Sequence, residues 1–428
     1  MSSTDRTPLV LAAAVGALAA LVIATTSKTA AKGFSPKVPQ GSSSKGSSSS
    51  VIENVGSTPL FRLKSFDALG LEIICKAEYL NPGGSIKDRA ALRMIQDAKA
   101  SGLLKPGGLI CEGTGGNTGI GLALLSSALG HPCFISCPFN ISQEKINLMK
   151  ALGADVHLCP TGIKNDHPDH YTQVAKEKAR TTCLEKGDTT AAVHTDQFAN
   201  SSNFAAHYEN TGPEIFSQCD GKVDGFCCSA GTGGTIAGVS AYLKSADSTI
   251  QTFLVDCQGS GMKKYLSEGV FGKRESDTLF HGSSDTVAEG VGISRLTKNF
   301  AKGVSSIDGA LSVTDLEACR MCFWLLKKEG IFVGISAAMN VVGALKLGLK
   351  LRDENPNQDV ITIATILCDA GENYVSKVYN EQWRKENNLE GVDVLPESVL
   401  VILDGKGLDG GPIMRGEDIL FANQKGGS

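Results

Sequence analysis

Short apolar runs alternate with longer amphipathic segments between about residues 70 and 370. The runs read LEIICKA, GLICE, PCFISC, ADVHLC, VDGFCCS, QTFLVD and VITIATIL. Helix-forming segments lie between them at 88–100, 118–128, 203–217, 235–244 and 315–329, and Thr314 and Glu317 give the last one a capping box. Strands that alternate with helices predict an α/β fold with largely parallel sheets covered by helices.

A different pattern occupies the N-terminus, where residues 9–26 carry no charge. At about 1.5 Å per residue this run spans roughly 27 Å, enough for a thin bilayer. We interpret 1–8 as an N-terminal tail and 9–26 as an uncleaved transmembrane helix, with a signal-peptide core as the alternative. Lys28, Lys32 and Lys37 follow the run, so the positive-inside rule predicts that the long C-terminal part lies in the cytosol.

The remaining boundaries follow from composition. Residues 27–50 include QGSSSKGSSSS and are predicted to form a flexible Ser/Gly-rich linker. The alternating region then predicts a catalytic domain over 51–395, followed by a C-terminal tail over 396–428.

Charge and cysteine content narrow the function classes. The formal net charge is -4, which does not indicate a nucleic-acid surface, because such surfaces normally carry a basic excess. The 13 cysteines have no regular spacing, which is typical of reduced, buried thiols in a cytosolic domain. We expect no metal site, since no complete ligand set is spaced along the chain.

Two glycine-rich loops follow predicted strands and precede predicted helices, namely EGTGGNTGIG (112–121) and SAGTGGTIAG (229–238). Neither has the spacing of a dinucleotide loop or the lysine of a P-loop. Gly231 to Thr235 could hold one phosphate with backbone N–H groups and two hydroxyls at a helix N-terminus. A plain tight turn is the competing interpretation of either loop alone.

A lysine follows a third turn, in LNPGGSIKDRAA (80–91). Pro82 and two glycines break the preceding strand, and Ser85 is a suitable N-cap for the next helix. Lys87 alone could be a solvated side chain. Together with the phosphate loop and Asn117, however, it suits pyridoxal 5′-phosphate (PLP), which needs a lysine, a phosphate site and a ring partner.

The motifs NPGGSIKDRAA, EGTGGNTGIGLA, DQFAN, TGPEI, SAGTGGTIAGV, AEGVGISR and VGIS occur in the order and spacing of cysteine synthases. The chain therefore resembles this family over about residues 51–379. The resemblance implies a tryptophan synthase β-like fold (fold type II), in which two α/β subdomains hold PLP between them. The anchored arrangement is most similar to fungal membrane-associated cysteine synthase-like proteins.

The resemblance also implies roles for individual residues. Lys87 would form the Schiff base with PLP and move the α-proton of the substrate. Asn117 would bind the ring hydroxyl. Ser336 would face the pyridine nitrogen, leaving it unprotonated and favouring β-elimination. The phosphate would be bound by Gly231, Thr232, Gly233, Gly234 and Thr235. The substrate carboxylate would be bound by Thr114, Gly115, Gly116, Thr118 and Gln197.

Two departures from the family pattern are present. Gly115 stands where the family usually has serine, and Ala337-Ala338 stand where a Ser-Gly pair is usual. The first lies in the substrate loop and bears on activity.

The resemblance predicts β-replacement of O-acetylserine by sulfide, giving cysteine and acetate. The alternatives are a cystathionine β-synthase-like or other β-elimination activity, and a low-activity, membrane-tethered binding protein. We further expect a homodimer that binds a small amino acid and sulfide, anchored in the mitochondrial outer membrane or alternatively the ER membrane.

Overall fold

The computed structural model describes residues 48–271, 286–292 and 295–403. The strands are β1 Leu60–Leu63, β2 Leu71–Ala77, β3 Leu109–Gly113, β4 Cys133–Pro138, β5 Ala154–Cys159, β6 Ala192–His194, β7 Gly225–Ser229, β8 Gln251–Cys257, β9 Gly309–Val313 and β10 Ile361–Leu367. The α-helices are α1 Lys87–Ala100, α2 Asn117–Ala128, α3 Gln143–Ala151, α4 Tyr171–Lys186, α5 Ser201–Ala206, α6 Gly212–Gln218, α7 Gly234–Ala246, α8 Met262–Glu268, α9 Lys298–Gly303, α10 Asp315–Trp324, α11 Ile335–Glu354 and α12 Glu381–Glu386.

The strands form two sheets. The larger has six strands in the order β1-β2-β10-β7-β8-β9, and the smaller has four in the order β5-β4-β3-β6. β1 runs antiparallel to β2, whereas the other described pairings are parallel. The chain builds β1 and β2, then the whole small sheet, and then returns to complete the large sheet. The predicted α/β class with two parallel-rich sheets is confirmed.

Each apolar run that predicted a strand contains one, with bounds within two residues of the prediction. β1, β6 and β9 were not predicted, and all three lie at a sheet edge. An edge strand buries less of its surface than a central one, so it needs no continuous apolar run.

Two helices differ from prediction. Residues 203–217 do not form one regular helix, because a π-helical turn over His207–Thr211 separates α5 from α6. Pro213 has no N–H to donate to the carbonyl four residues earlier, which explains the local change of pitch. The predicted helix over 315–329 likewise ends in a π-helical turn, Leu325–Glu329, before Gly330 in left-handed conformation. The capping box of Thr314 and Glu317 is confirmed.

The largest core surrounds α11, a long helix that is buried along most of its length against the large sheet. Close packing requires small residues there, since a Cβ at Gly343 would lie 2.3 Å from Val255 Cγ2. The same core includes Val399, Ile402 and Leu403, so packed structure continues beyond residue 395. A separate apolar cluster fills the space between the small sheet and its helices. All 13 cysteines are free thiols, and most are buried in these cores.

The predicted transmembrane helix over 9–26 lies outside the described residues. Among the residues that the structure does describe, no helix is both long enough and apolar enough to span a bilayer.

A buried ionic network joins α1, β2 and α6, and it is centred on Arg89. The Arg89 guanidinium bonds both oxygens of Glu78, at 2.6 and 2.8 Å, and both oxygens of Glu214, at 2.8 and 2.7 Å. Lys76 also pairs with Glu214 at 2.8 Å. Burial raises the pKa of Glu214, but Arg89 and Lys76 outweigh it and lower that pKa to about 2. The network therefore fixes the helix turn that begins at Lys87.

Removing Arg89 should destabilise the fold strongly. Arg89→Ala leaves two carboxylates without their shared partner in a buried site, and such losses cost about 3–5 kcal/mol. Arg93→Ala is the matched control, because Arg93 lies one turn later and pairs with Asp97 and Glu209 near the surface. That change should cost about 0–1 kcal/mol. Urea denaturation of both variants measures the free energy of unfolding. Equal losses of this free energy in the two variants would contradict a stabilising role for the network.

Candidate active site

The segment before α1 is a tight turn held against the large sheet. Gly84 has a φ of 79°, and its N–H donates to Asn81 O at 2.8 Å. Ile86 N donates to Cys368 O at 2.9 Å, and Ser85 forms a β-bridge with Asp369. Lys87 is thereby the first residue of α1, beside the C-terminal end of β10.

The predicted N-cap role of Ser85 is wrong in detail. Ile86 occupies the N-cap position and makes no side-chain cap bond. Ser85 Oγ still accepts a bond from Lys87 N, at 3.2 Å, so the hydroxyl caps the turn from one residue earlier. Asp88 adds a second constraint, because its carboxylate accepts the N–H of Gly83, where an added Cβ would collide with it. Burial raises the pKa of Asp88 to about 7.

The phosphate loop predicted from the sequence, Gly231–Thr235, joins β7 to α7. Gly233 has a φ of 82° and is the N-cap of α7, so the first N–H groups of that helix face the loop. The loop tolerates no side chain at Gly231, where a Cβ would lie 2.1 Å from Gly290 O. A Cβ at Gly234 would lie 2.2 Å from Asn203 Oδ1. These contacts make the loop a narrow cradle at the N-terminus of a helix, which is a setting that favours a phosphate.

Two residues that sequence reasoning missed hold the hydroxyls of this loop. Asn203 Nδ2 donates to Thr232 Oγ1 at 2.8 Å, and His207 Nε2 lies 3.2 Å from Thr235 Oγ1. Burial, followed by the charges of Arg89 and Lys87, lowers the pKa of His207 well below its ordinary value, so the imidazole is neutral. Both residues lie in the helical segment after DQFAN, whose proximity to the phosphate loop is a tertiary contact.

The second glycine loop, Thr114–Thr118, joins β3 to α2. Thr118 Oγ1 donates to Gln197 Oε1 at 2.6 Å. The Gln197 backbone is held as well, since its N–H donates to Glu112 Oε2 at 3.1 Å and its carbonyl accepts bonds from Asn203 and Asn299. Because Oε1 is engaged, the amide nitrogen of Gln197 is the group oriented to donate to a carboxylate.

Glu112 anchors this loop from beneath. It is fully buried and accepts bonds from Thr195 Oγ1, Gln197 N and Gly113 N. Burial raises its pKa to about 7, while the three bonds limit the rise. This buried carboxyl thus holds the Gln197 backbone in place.

One pocket collects nearly all of the residues predicted from the sequence. Its lining includes Lys87, Thr114, Gly115, Gly116, Asn117, Thr118, Gln197, Gly231, Thr232, Gly233, Thr235 and Ser336. Gly234 is not among the lining residues and lies just behind them, packed on Asn203. Ser336 is in the first turn of α11, whose N-cap is Gly334.

The pocket lining also includes two charged residues that the sequence did not indicate, Lys145 and Glu289. Lys145 and Lys377 both bind Glu289, and Lys145 Nζ lies 4.7 Å above the ring of Tyr374. Burial raises the pKa of Glu289, but the two lysines lower it to about 2. Lys145 therefore has an ion-pair partner inside the pocket that it shares with Lys87. Its helix and the Glu289 segment meet only in the tertiary structure, so spacing along the chain gives no signal for them.

The residues present fit PLP. The cradle at Gly231 and Gly234 suits a phosphate, and Lys87 reaches the same pocket. Asn117 Oδ1 is buried and has no partner among the described residues, as expected for an atom that awaits a ligand.

Comparisons with known proteins agree. A family model described as "Pyridoxal-phosphate dependent enzyme" matches residues 51–369. A cysteine synthase of Dictyostelium discoideum is 42% identical over 82% of this chain and 89% of its own. Cysteine synthase 1 of Emericella nidulans is 41% identical over 79% of this chain and 86% of its own. The crystal structure of O-ureido-L-serine synthase superposes with a TM-score of 0.64 at 29% identity, covering 78% of this chain and 95% of that one.

The family match spans most of the chain and includes both glycine loops, Lys87 and Ser336. It ends at Asp369, two residues after the end of β10, so it covers both sheets. The chain belongs to the family of pyridoxal-phosphate dependent enzymes.

Proposed function

We propose that this chain is a cysteine synthase, which replaces the acetate of O-acetylserine with sulfide to give L-cysteine. The pocket is the observation on which the proposal rests. Lys87, the predicted phosphate loop Gly231–Thr235 and the predicted carboxylate-binding loop Thr114–Thr118 all contribute to its lining. The curated relatives named above are cysteine synthases at about the same level of identity. The expected enzyme type and cofactor are thus supported by both the site and the family.

Each group in the pocket has a task in this reaction. Gly231 to Thr235 would hold the cofactor phosphate, and Lys87 would bear the cofactor. When bound, PLP supplies the electron sink that allows acetate to leave Cβ and sulfide to add there. Lys87 Nζ would take the α-proton of the substrate and return one to the product. Ser336 would present a neutral hydroxyl to the pyridine nitrogen, which restrains charge build-up at that nitrogen.

The loop Thr114–Thr118 and Gln197 would orient the substrate through its carboxylate. Gly116 N lies at the start of α2, where helix N–H groups favour an anion. The Thr118–Gln197 hydrogen bond fixes both side chains before a ligand arrives. Such preorganisation places the α-proton within reach of one base and lowers the entropy lost on binding.

Cysteine formation from O-acetylserine and sulfide by the purified full chain tests the proposal. Lys87→Ala should lower the rate by about 100- to 10,000-fold, the range typical of a lost general acid–base group. Lys105→Ala is the control, because Lys105 pairs with Asp188 at the surface. A wild-type chain that makes no cysteine, or that prefers serine and a thiol amino acid, would contradict the proposal.

Gly115 should weaken the binding of the substrate. It lies in the carboxylate loop and lacks the hydroxyl that serine would supply, and one hydrogen bond to a charged group contributes about 1.5–3 kcal/mol, or roughly 10- to 150-fold in affinity. Gly115→Ser should therefore lower the O-acetylserine concentration needed for half-maximal rate. The gain in affinity will be smaller if a water molecule already makes the hydrogen bond that the serine hydroxyl would supply.

Lys105→Ala is again the control, because Lys105 pairs with Asp188 at the surface and its loss should leave the half-maximal concentration unchanged. Titration with O-phosphoserine tests the competing idea that Gly115 admits a bulkier substrate. A Gly115→Ser variant that binds O-acetylserine no better than wild type would refute our interpretation of this position.

We also propose that residues 9–26 anchor the chain in the mitochondrial outer membrane, with the catalytic domain, which begins near residue 51 and whose core includes Leu403, in the cytosol. The uncharged run and the lysines after it support this arrangement. Our expectation that the chain forms a homodimer rests on the family resemblance.

Full-length protein should remain in membrane pellets after a carbonate wash, whereas a chain without residues 1–32 should be released. Release of the full-length protein by the same wash would exclude the anchor, and fractionation of organelles separates mitochondria from ER.

A further inference from the structure

Asn203 lies between the two parts of the site that would hold the cofactor and the substrate. It belongs to α5 and is buried. Its Nδ2 donates to the carbonyl oxygen of Gln197 at 2.9 Å and to Thr232 Oγ1 at 2.8 Å. An amide nitrogen carries two hydrogens, so both are engaged. One amide group therefore joins the residue expected to bind the substrate carboxylate to the predicted phosphate loop.

The contact with Gln197 fixes the direction of the Asn203 amide. A carbonyl oxygen only accepts hydrogen bonds, so the nitrogen end of the amide must face Gln197. The oxygen end faces Gly234, the first residue of α7, where an added Cβ would lie 2.2 Å from Asn203 Oδ1. A reversed amide would place two acceptors against each other at Gln197. The donor end of Asn203 is therefore the end that meets Thr232.

This direction determines what the Thr232 hydroxyl can do. Because Oγ1 accepts the bond from Asn203, the hydroxyl hydrogen is left to donate elsewhere, and no residue in the described parts of the chain accepts it. Thr232 lines the pocket, and its carbonyl accepts a bond from Thr297 Oγ1 at 2.7 Å, so its backbone is held as well. The hydroxyl is thus prepared to donate to an anion, which forms stronger hydrogen bonds than a neutral acceptor does.

The same amide restrains Gln197 on the substrate side. The Gln197 carbonyl accepts a second bond from Asn299 Nδ2 at 2.8 Å, and the Gln197 N–H donates to Glu112. Its side-chain oxygen is engaged by Thr118. Loss of the Asn203 bond would remove one of the two donors to this carbonyl and leave the other contacts in place. Gln197 would then be held less firmly without being released.

We propose, on the basis of the function proposed above, that Asn203 is a positioning residue for both ligands. It turns the Thr232 hydroxyl towards the cofactor phosphate, and it holds the Gln197 backbone for the substrate carboxylate. Asn203 is not among the residues that line the pocket, so it acts through these two neighbours. The affinities for cofactor and for substrate thus both depend on one buried amide.

A comparison of PLP with pyridoxal, which has the same ring and aldehyde but no phosphate, measures the effect through Thr232. In titrations of the apoprotein followed by the absorbance of the bound cofactor, Asn203→Ala should lower the affinity for PLP by roughly 5- to 30-fold, because one hydrogen bond to a charged group is weakened. The affinity for pyridoxal should stay near that of the wild type. Asn203→Leu, which keeps the approximate shape of the side chain without a donor, gives the same test if the alanine variant does not fold.

Asn210→Ala is the matched control. Asn210 is an exposed asparagine in the π-helical turn after α5, and its amide bonds Ala206 O within the same helical stretch. This change should leave the affinities for PLP and pyridoxal unchanged.

A double-mutant cycle separates positioning from general support of the fold. In the Thr232→Val background, Asn203→Ala should lower the affinity for PLP no further, since the hydroxyl through which it acts is absent. At saturating PLP it should still raise the O-acetylserine concentration needed for half-maximal rate by roughly 2- to 10-fold, because the contact with Gln197 is lost in both backgrounds. The rate at saturating substrate should stay near that of the parent protein.

Three results would overturn the proposal. They are an equal loss of affinity for PLP and pyridoxal in Asn203→Ala, a loss of PLP affinity in the Thr232→Val background as large as in the wild type, and an unchanged requirement for O-acetylserine. A wild-type chain that binds PLP no better than pyridoxal, or binds neither, would instead refute the proposed function.

Discussion

The buried pairing of Arg89 with Glu78 and Glu214 is the constraint on which the site depends. Moving such charges out of water is costly, and the cost is offset only when every donor and acceptor is matched. Here one guanidinium bonds both carboxylates in bidentate fashion, and Lys76 pairs with Glu214. Because Arg89 lies in the first turn of α1, the network fixes the direction of that helix and of Lys87, two residues earlier.

The two sheets position the other residues of the site at the same pocket. Parallel strands end at a common edge, and ligands in α/β folds bind beyond that edge. The Thr114 loop leaves β3 of the small sheet, whereas the Gly231 loop and Asp369 leave β7 and β10 of the large sheet. The isolated bridges from Asp369 to Ser85 and from Ala370 to Val333 tie the segment after β10 to the segments that precede Lys87 and Ser336. Positions far apart in the chain thus line one pocket.

Local patterns predicted the central strands, both glycine loops and Lys87, because burial and sharp turns leave their mark on adjacent residues. They missed β1, β6 and β9, which lie at sheet edges and carry weaker apolar runs. They also missed Asn203, His207 and Glu289. These side chains act through tertiary contacts, and each is an ordinary polar residue in its own segment. The one-residue error at Ser85 shows that a capping hydroxyl can act from outside the N-cap position.

We propose that Lys87, and not another lysine of the pocket, bears the cofactor. Lys145 is the other lysine of the pocket lining, but its amine pairs with Glu289, whereas Lys87 forms no ion pair within the described parts of the chain. Borohydride reduction of the PLP-loaded chain, followed by peptide mass spectrometry, distinguishes the two. We expect the reduced cofactor on the peptide that contains Lys87, and finding it on Lys145 or on any other lysine would contradict this assignment.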